Sequence, residues 1–133
     1  MAARLVAAKF QVSVFDPSAQ AVSELVSKGA VAASSPSDAA RDADLIMFSL
    51  PTPKILISAT TGADGVLASA KKGAIIIDFS TVDAATTKSL AKSAAEKGIA
   101  YLDSPVSGGV VGAENGKLVL MVGGEASMLD KCR

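Results

Sequence analysis

Ser107, Gly108 and Gly109 follow the apolar residues Tyr101 and Leu102 and the bend Asp103-Ser104-Pro105, a setting suited to holding a small anion such as a carboxylate. Paired glycines leave main-chain N–H groups unshielded, and Ser107 adds a hydroxyl donor beside them. Two glycines in a loop after a buried strand also carry an entropic cost that packing alone does not explain. Asp16 closes a second apolar run; at the end of a strand, such a carboxylate can accept both hydroxyls of an adenine ribose and repel a 2′-phosphate. Asp16-Pro17-Ser18 also reads as an ordinary helix start. Leu50 and Pro51 end a third run, where Pro51 removes a donor and fixes the chain direction so that backbone can lie against a flat ligand. Thr81, within Ser80-Thr81-Val82-Asp83, follows a fourth run and doubles as part of a capping box.

These residues need strands to hold them, and the chain supplies apolar runs alternating with amphipathic ones. Residues 11–15 alternate with period two, residues 30–33 form a short strand candidate, and residues 44–50 and 74–79 read as buried strands. Residues 99–103 and 117–122 complete the strand set. Between them, Val22, Leu25 and Val26 share a helical face that Gly29 stops. Ser35-Pro36-Ser37-Asp38 opens a short helix to about Arg41. Pro51-Thr52-Pro53 reads as the halt of the strand before it, and the helix after Asp83 is predicted to turn Leu90, Ala91, Ala94 and Ala95 inward and to end at Gly98. Alternation of this kind predicts an α/β fold, a parallel sheet with crossover helices. Met1 to Lys9 reads as helical without a preceding strand or glycine turn, and Glu125 to Arg133 as the opening turns of a helix.

Composition narrows the partners. In 133 residues the 13 basic and 13 acidic side chains cancel, so neither nucleic acid nor an anionic membrane is favoured and a small neutral or anionic ligand fits better. Lys88, Lys92 and Lys97 share a helix with Glu96 and read as a solvated face. There is no histidine and a single cysteine, Cys132, which removes disulfide frameworks, ordinary zinc sites and imidazole acid–base chemistry within these residues. No run approaches the length of a bilayer-spanning helix and no signal segment opens the sequence, so a soluble, intracellular domain is expected.

With this order of elements, the chain resembles the cofactor domain of the β-hydroxyacid dehydrogenase family, which includes 3-hydroxyisobutyrate dehydrogenase and, more distantly, 6-phosphogluconate dehydrogenase. The resemblance rests on Val14-Phe15-Asp16, Ser49-Leu50-Pro51-Thr52, Asp78-Phe79-Ser80-Thr81, Leu102 through Val110, and Met121-Val122-Gly123-Gly124, in that order. It implies a Rossmann-like sheet that lacks its first strand and its glycine-rich phosphate loop, with Met1 matching an internal position. It also implies that residues 1–133 are a partial NAD(P)-binding domain, without the helical domain that carries the family's catalytic lysine.

By the same resemblance, Asp16, Leu50, Pro51 and Thr81 bind cofactor, with NAD favoured over NADP, while Ser107, Gly108 and Gly109 hold the substrate carboxylate. The implied activity is hydride transfer between NAD and a small 3-hydroxy acid such as 3-hydroxyisobutyrate. This chain alone is expected to be inactive, its location cytoplasmic or the mitochondrial matrix, and its full-length relatives homo-oligomers. A non-catalytic carboxylate- or nucleotide-binding module and a degenerate gene fragment are the alternatives. In the strand order 3-2-1-4-5-6 the lost strand lies between the strands ending at Asp16 and Leu50. About ten ladder bonds at roughly 0.5–1.5 kcal/mol each rival a total stability of about 5–15 kcal/mol, so the chain is expected to be unstable, to aggregate, or to close that gap.

Overall fold

The computed structural model describes all 133 residues. Helix α1 (Ala2–Ala7) leads into strand β1 (Ser13–Val14), and α2 (Ala19–Val26) follows, with the Ser18 hydroxyl accepting from the Ala21 N–H. Strand β2 (Val31–Ala32) precedes α3 (Pro36–Ala40), which the Ser35 hydroxyl caps and Pro36 opens. Strand β3 (Leu45–Phe48), helix α4 (Pro53–Thr61) and a 3₁₀ turn at Val66–Ala68 lead to β4 (Ile75–Asp78). After it come α5 (Ala84–Glu96), β5 (Ala100–Asp103), β6 (Val106–Ser107), α6 (Gly109–Asn115), β7 (Val119–Leu120) and α7 (Ala126–Asp130).

The expected α/β architecture is present, with parallel strands and crossover helices. Strand β1 pairs in parallel with β2, and β3, β4 and β5 form a parallel sheet with β4 at its centre. No strand pairing joins β1 to β3, so the sheet is interrupted where the doubly wound order places its first strand. The gap therefore stays open rather than being closed by a β1–β3 ladder. Val12 and Val14 carbonyls accept from the Val31 and Ala33 amides, and Asp44 and Phe48 carbonyls from the Ile75 and Phe79 amides, so by alternation Ser13, Leu45 and Met47 aim main-chain groups at the gap. On the far side of β5, β6 and β7 form an antiparallel pair, and Asp103 bridges Gly123 in the same sense.

Alternation along β4 sends neighbouring isoleucines to opposite faces. Ile76 joins Ile46, Phe48, Leu56, Leu90 and Ala94 in the larger core, with Leu56 and Ala94 fully buried. Burying each large aliphatic side chain there contributes about 1.5–3 kcal/mol. Ile75, Ile77 and Leu102 face the other way, against Met128 and Leu129 of α7. That side is less well filled: an apolar cleft of about 430 Å³ opens between Ile77, Leu102, Val122 and Leu129.

Several elements depart from the sequence reading. Helix α4 is unannounced by the sequence, because Pro51-Thr52-Pro53 ends a strand and also starts a helix: the Thr52 hydroxyl accepts from the Ile55 N–H and Pro53 takes the first helical position. Helix α5 begins at Asp83, whose carboxylate accepts from the Thr86 N–H at 2.9 Å, so Ser80 and Thr81 lie ahead of it. Ala95 is exposed rather than inward, and Val26 is likewise exposed at the end of α2. The strands near residues 11–15 and 117–122 shrink to two residues each.

Candidate cofactor and substrate site

Because β3, β4 and β5 run parallel, the turns that follow them leave the same edge of the sheet. Leu50 and Pro51 follow β3, Ser80 and Thr81 follow β4, and the segment leading to Ser107, Gly108 and Gly109 follows β5. Asp16 stands at the corresponding end of β1, in the separate two-stranded sheet. All eight residues thus lie beyond carboxyl ends of parallel strands, the position at which open α/β sheets take ligands.

The surroundings of Asp16 are local. Its Oδ1 accepts the Ser18 N–H at 2.7 Å, so one carboxylate oxygen supports the start of α2 while the exposed side chain leaves the other open. No hydrogen bond ties it to the other turns.

The turns after β3 and β4 are bonded to each other. The Leu50 N–H donates to the Ser80 hydroxyl at 2.9 Å, and the Ser80 N–H donates to Oδ1 of Asp78 at 2.9 Å. The Tyr101 hydroxyl donates to the second oxygen, Oδ2, of Asp78 at 2.8 Å. Asp78 is completely buried and Ser80 nearly so, whereas Pro51 and Thr81 are exposed. Tyr101 does more than pack: burial first, then its bond to Asp78, push its phenol well above the ordinary value, so it stays a neutral donor. Burial and then the nearby Asp78 charge also raise the Asp103 carboxyl. The sequence reading gave Asp78 no role, although a carboxylate directly after Ile75-Ile76-Ile77 in a buried strand is itself a signal that a partner is required.

The turn after β5 is held from its near side. Val106 pairs with Leu120 and Ser107 with Val119, and the Met121 N–H donates to the Pro105 carbonyl at 3.1 Å. Gly108 and Gly109 then take φ values of 128° and 60°, both in the region that side chains disfavour. A Cβ at Gly108 would meet Leu118 Cδ2 at 3.3 Å, whereas one at Gly109 would enter open space. The first amides of α6 have no intrahelical acceptor and no side-chain cap, and Ser107, Gly108 and Gly109 are exposed. No group of three or more Cys, Asp or Glu side chains is placed to hold a metal, and no helix is long and apolar enough to cross a membrane.

Residues 1–133 match the family described as the NAD binding domain of 6-phosphogluconate dehydrogenase. Mitochondrial 3-hydroxyisobutyrate dehydrogenase of Homo sapiens is 42% identical over 124 residues, 93% of this chain and 37% of the relative. NAD-dependent L-serine dehydrogenase of Pseudomonas aeruginosa is 39% identical over 133 residues, 100% of this chain and 45% of the relative. Among solved structures, Mycobacterium tuberculosis 3-hydroxyisobutyrate dehydrogenase with L-serine superposes with a TM-score of 0.93 at 36% identity, covering 99% of this chain and 44% of that one. Psf3 in complex with NADP+ and 2-OPP superposes with a TM-score of 0.90 at 30% identity, covering 97% and 46%. The chain spans less than half the length of each of these proteins. Its sequence, its strand order and its superposition agree: the chain belongs to the β-hydroxyacid dehydrogenase family, within the NAD binding domains of the 6-phosphogluconate dehydrogenase type.

Proposed function

We propose that these residues are the cofactor half of an NAD-dependent dehydrogenase acting on a small 3-hydroxy acid. The observation that carries this reading is the gathering of Asp16, Leu50, Pro51, Thr81 and the Ser107-Gly108-Gly109 turn at carboxyl ends of parallel strands. Two relatives support the substrate class, since 3-hydroxyisobutyrate and L-serine both carry a hydroxyl one carbon away from the carbon that bears the carboxylate.

The residues present fit two parts of a nicotinamide dinucleotide and leave a third without a partner. The free oxygen of Asp16 would accept ribose hydroxyls at the adenine end, and its charge favours NAD over NADP. Pro51 and Thr81, exposed on turns bonded through Ser80, would contact the nicotinamide end. No Gly-x-Gly-x-x-Gly occurs in the 133 residues, so nothing among them matches the fingerprint that cradles the pyrophosphate. When bound, the nicotinamide supplies hydride acceptance from the substrate carbon. The uncapped amides of the exposed Gly108-Gly109 turn and the Ser107 hydroxyl would hold the substrate carboxylate and so fix which carbon faces the ring. The hydroxyl proton needs an acid–base group, and by family resemblance that is a lysine outside these residues.

Titration of the chain with NAD+, NADP+ and 3-hydroxyisobutyrate, followed residue by residue by NMR, tests the reading. Shifts at Asp16, Leu50 and Thr81 with NAD+, weaker ones with NADP+, and shifts at Ser107 to Val110 with the hydroxy acid are expected. Responses confined to other surfaces would overturn it. Asp16→Ala is expected to narrow the difference between NAD+ and NADP+.

A further inference from the structure

The geometry points to Ser80 as a positioning residue for the nicotinamide half of the cofactor: its buried hydroxyl joins the Leu50-Pro51 turn to the Ser80-Thr81 turn and sets their separation. This rests on the function proposed above and concerns a residue that the sequence read only as part of a capping box.

The ladder between β3 and β4 ends where these two turns begin. The register pairs Phe48 with Asp78, and the Phe79 N–H donates to the Phe48 carbonyl at 2.8 Å. In a continuing parallel ladder the next bond would run from the Leu50 N–H to the Phe79 carbonyl. That N–H goes instead to the Ser80 hydroxyl at 2.9 Å. A side chain thus replaces main chain as the acceptor at the point where the two strands end, so the backbones can separate there without orphaning the Leu50 amide. Pro51, next in sequence, offers no N–H of its own, and Leu50 is the last residue before it that can be tied to β4.

Ser80 is itself fixed from behind. Asp78 accepts its N–H on one oxygen and the Tyr101 hydroxyl on the other, so the carboxylate is held between β4 and β5. The relay runs from Tyr101 on β5 through Asp78 and Ser80 to Leu50, and it ends on turns whose exposed members are Pro51 and Thr81. Groups arranged this way make no contact with a ligand; they decide where the contacting groups stand.

Ser80→Ala and Ser80→Thr in the 133-residue chain test this with two readouts. The first needs no ligand: amide hydrogen exchange at Leu50 is expected to quicken about tenfold or more in Ser80→Ala, with Ile76 and Ile77 unchanged. Ser80→Thr, which keeps the hydroxyl, is expected to restore protection. The second compares NAD+ with ADP-ribose, which lacks the nicotinamide: Ser80→Ala is expected to weaken NAD+ about tenfold and leave ADP-ribose unaltered. Unchanged exchange at Leu50 overturns the inference outright, as does equal loss of both ligands, or loss of neither, when the unaltered chain binds them. If the unaltered chain binds neither ligand, the proposed function fails and the positioning role fails with it, a result distinct from selective failure in the variant.

Discussion

The β3–β4–β5 sheet and the β1–β2 pair are both parallel ladders closed by helices, yet they differ in how much they bury. Every residue of β4 is buried, whereas β1 and β2 contain none that is. The three-stranded sheet has helices α4 and α5 packed over Ile46, Phe48 and Ile76, while the pair sits beside α2, whose Val26 is exposed and which buries no residue fully. Parallel strands derive their stability from covering both faces, and the comparison shows what a ladder is worth without that cover. The candidate site is divided along the same line. The Leu50-Pro51 and Ser80-Thr81 turns stand on the buried sheet and are bonded to each other, whereas Asp16 stands on the thin pair with only a local bond.

Three substitutions test that contrast. The largest effect is expected in the core: Leu56→Ala should lower unfolding free energy by about 2–5 kcal/mol, a large part of a total of about 5–15 kcal/mol. Val31→Ala, at an exposed position of β2, should change it by less than about 0.5 kcal/mol. Chemical denaturation followed by circular dichroism compares them; similar losses would mean that the two ladders are one cooperative unit. Next, Tyr101→Phe leaves one oxygen of buried Asp78 without its donor and should cost about 1–3 kcal/mol in the same assay, placing this polar link inside the buried sheet's stability.

The smallest effect is a pH dependence. Asp103 holds its proton more tightly folded than unfolded, so its contribution favours the native state at low pH and is lost as pH rises through the unfolded and then the raised folded value. Asp103→Asn should flatten that decline and leave the variant slightly more stable at neutral pH. Melting temperatures measured from acid to neutral pH would show it, and a variant less stable throughout would place Asp103 among the supporting groups.

The sequence carried the buried sheet well and the thin pair poorly, for a physical reason. Ala74 to Ile77 is dense with apolar residues because both faces are covered, and Leu45 to Phe48 packs Ile46 and Phe48 into the larger core, so both stand out from their surroundings. Ser13-Val14 and Val31-Ala32 are brief and partly exposed, and periodicity has little to work on there. Helix α4 was hidden because Thr52-Pro53 carries the same cap-and-proline start as Ser35-Pro36, but adjoins a strand end where Pro51 makes a stop the natural reading. The turns of the site were legible as local motifs. The Tyr101–Asp78–Ser80–Leu50 relay was not, because its members lie up to 30 residues apart along a single bond and meet only through strand register.

The bond from Arg4 Nη1 to the Glu114 carbonyl, 3.0 Å long, joins residues 110 apart in sequence and fastens the first helix to the sixth. Relative to a loop of about 25 residues, such as the one from Ile76 to Tyr101, closing a loop this long costs about 1 kcal/mol more, comparable to the net worth of one exposed hydrogen bond. It therefore cannot lead assembly; it forms once the crossovers between have brought its partners near. Helix α1, which buries no residue, is then expected to dock late during folding and to fray early on heating.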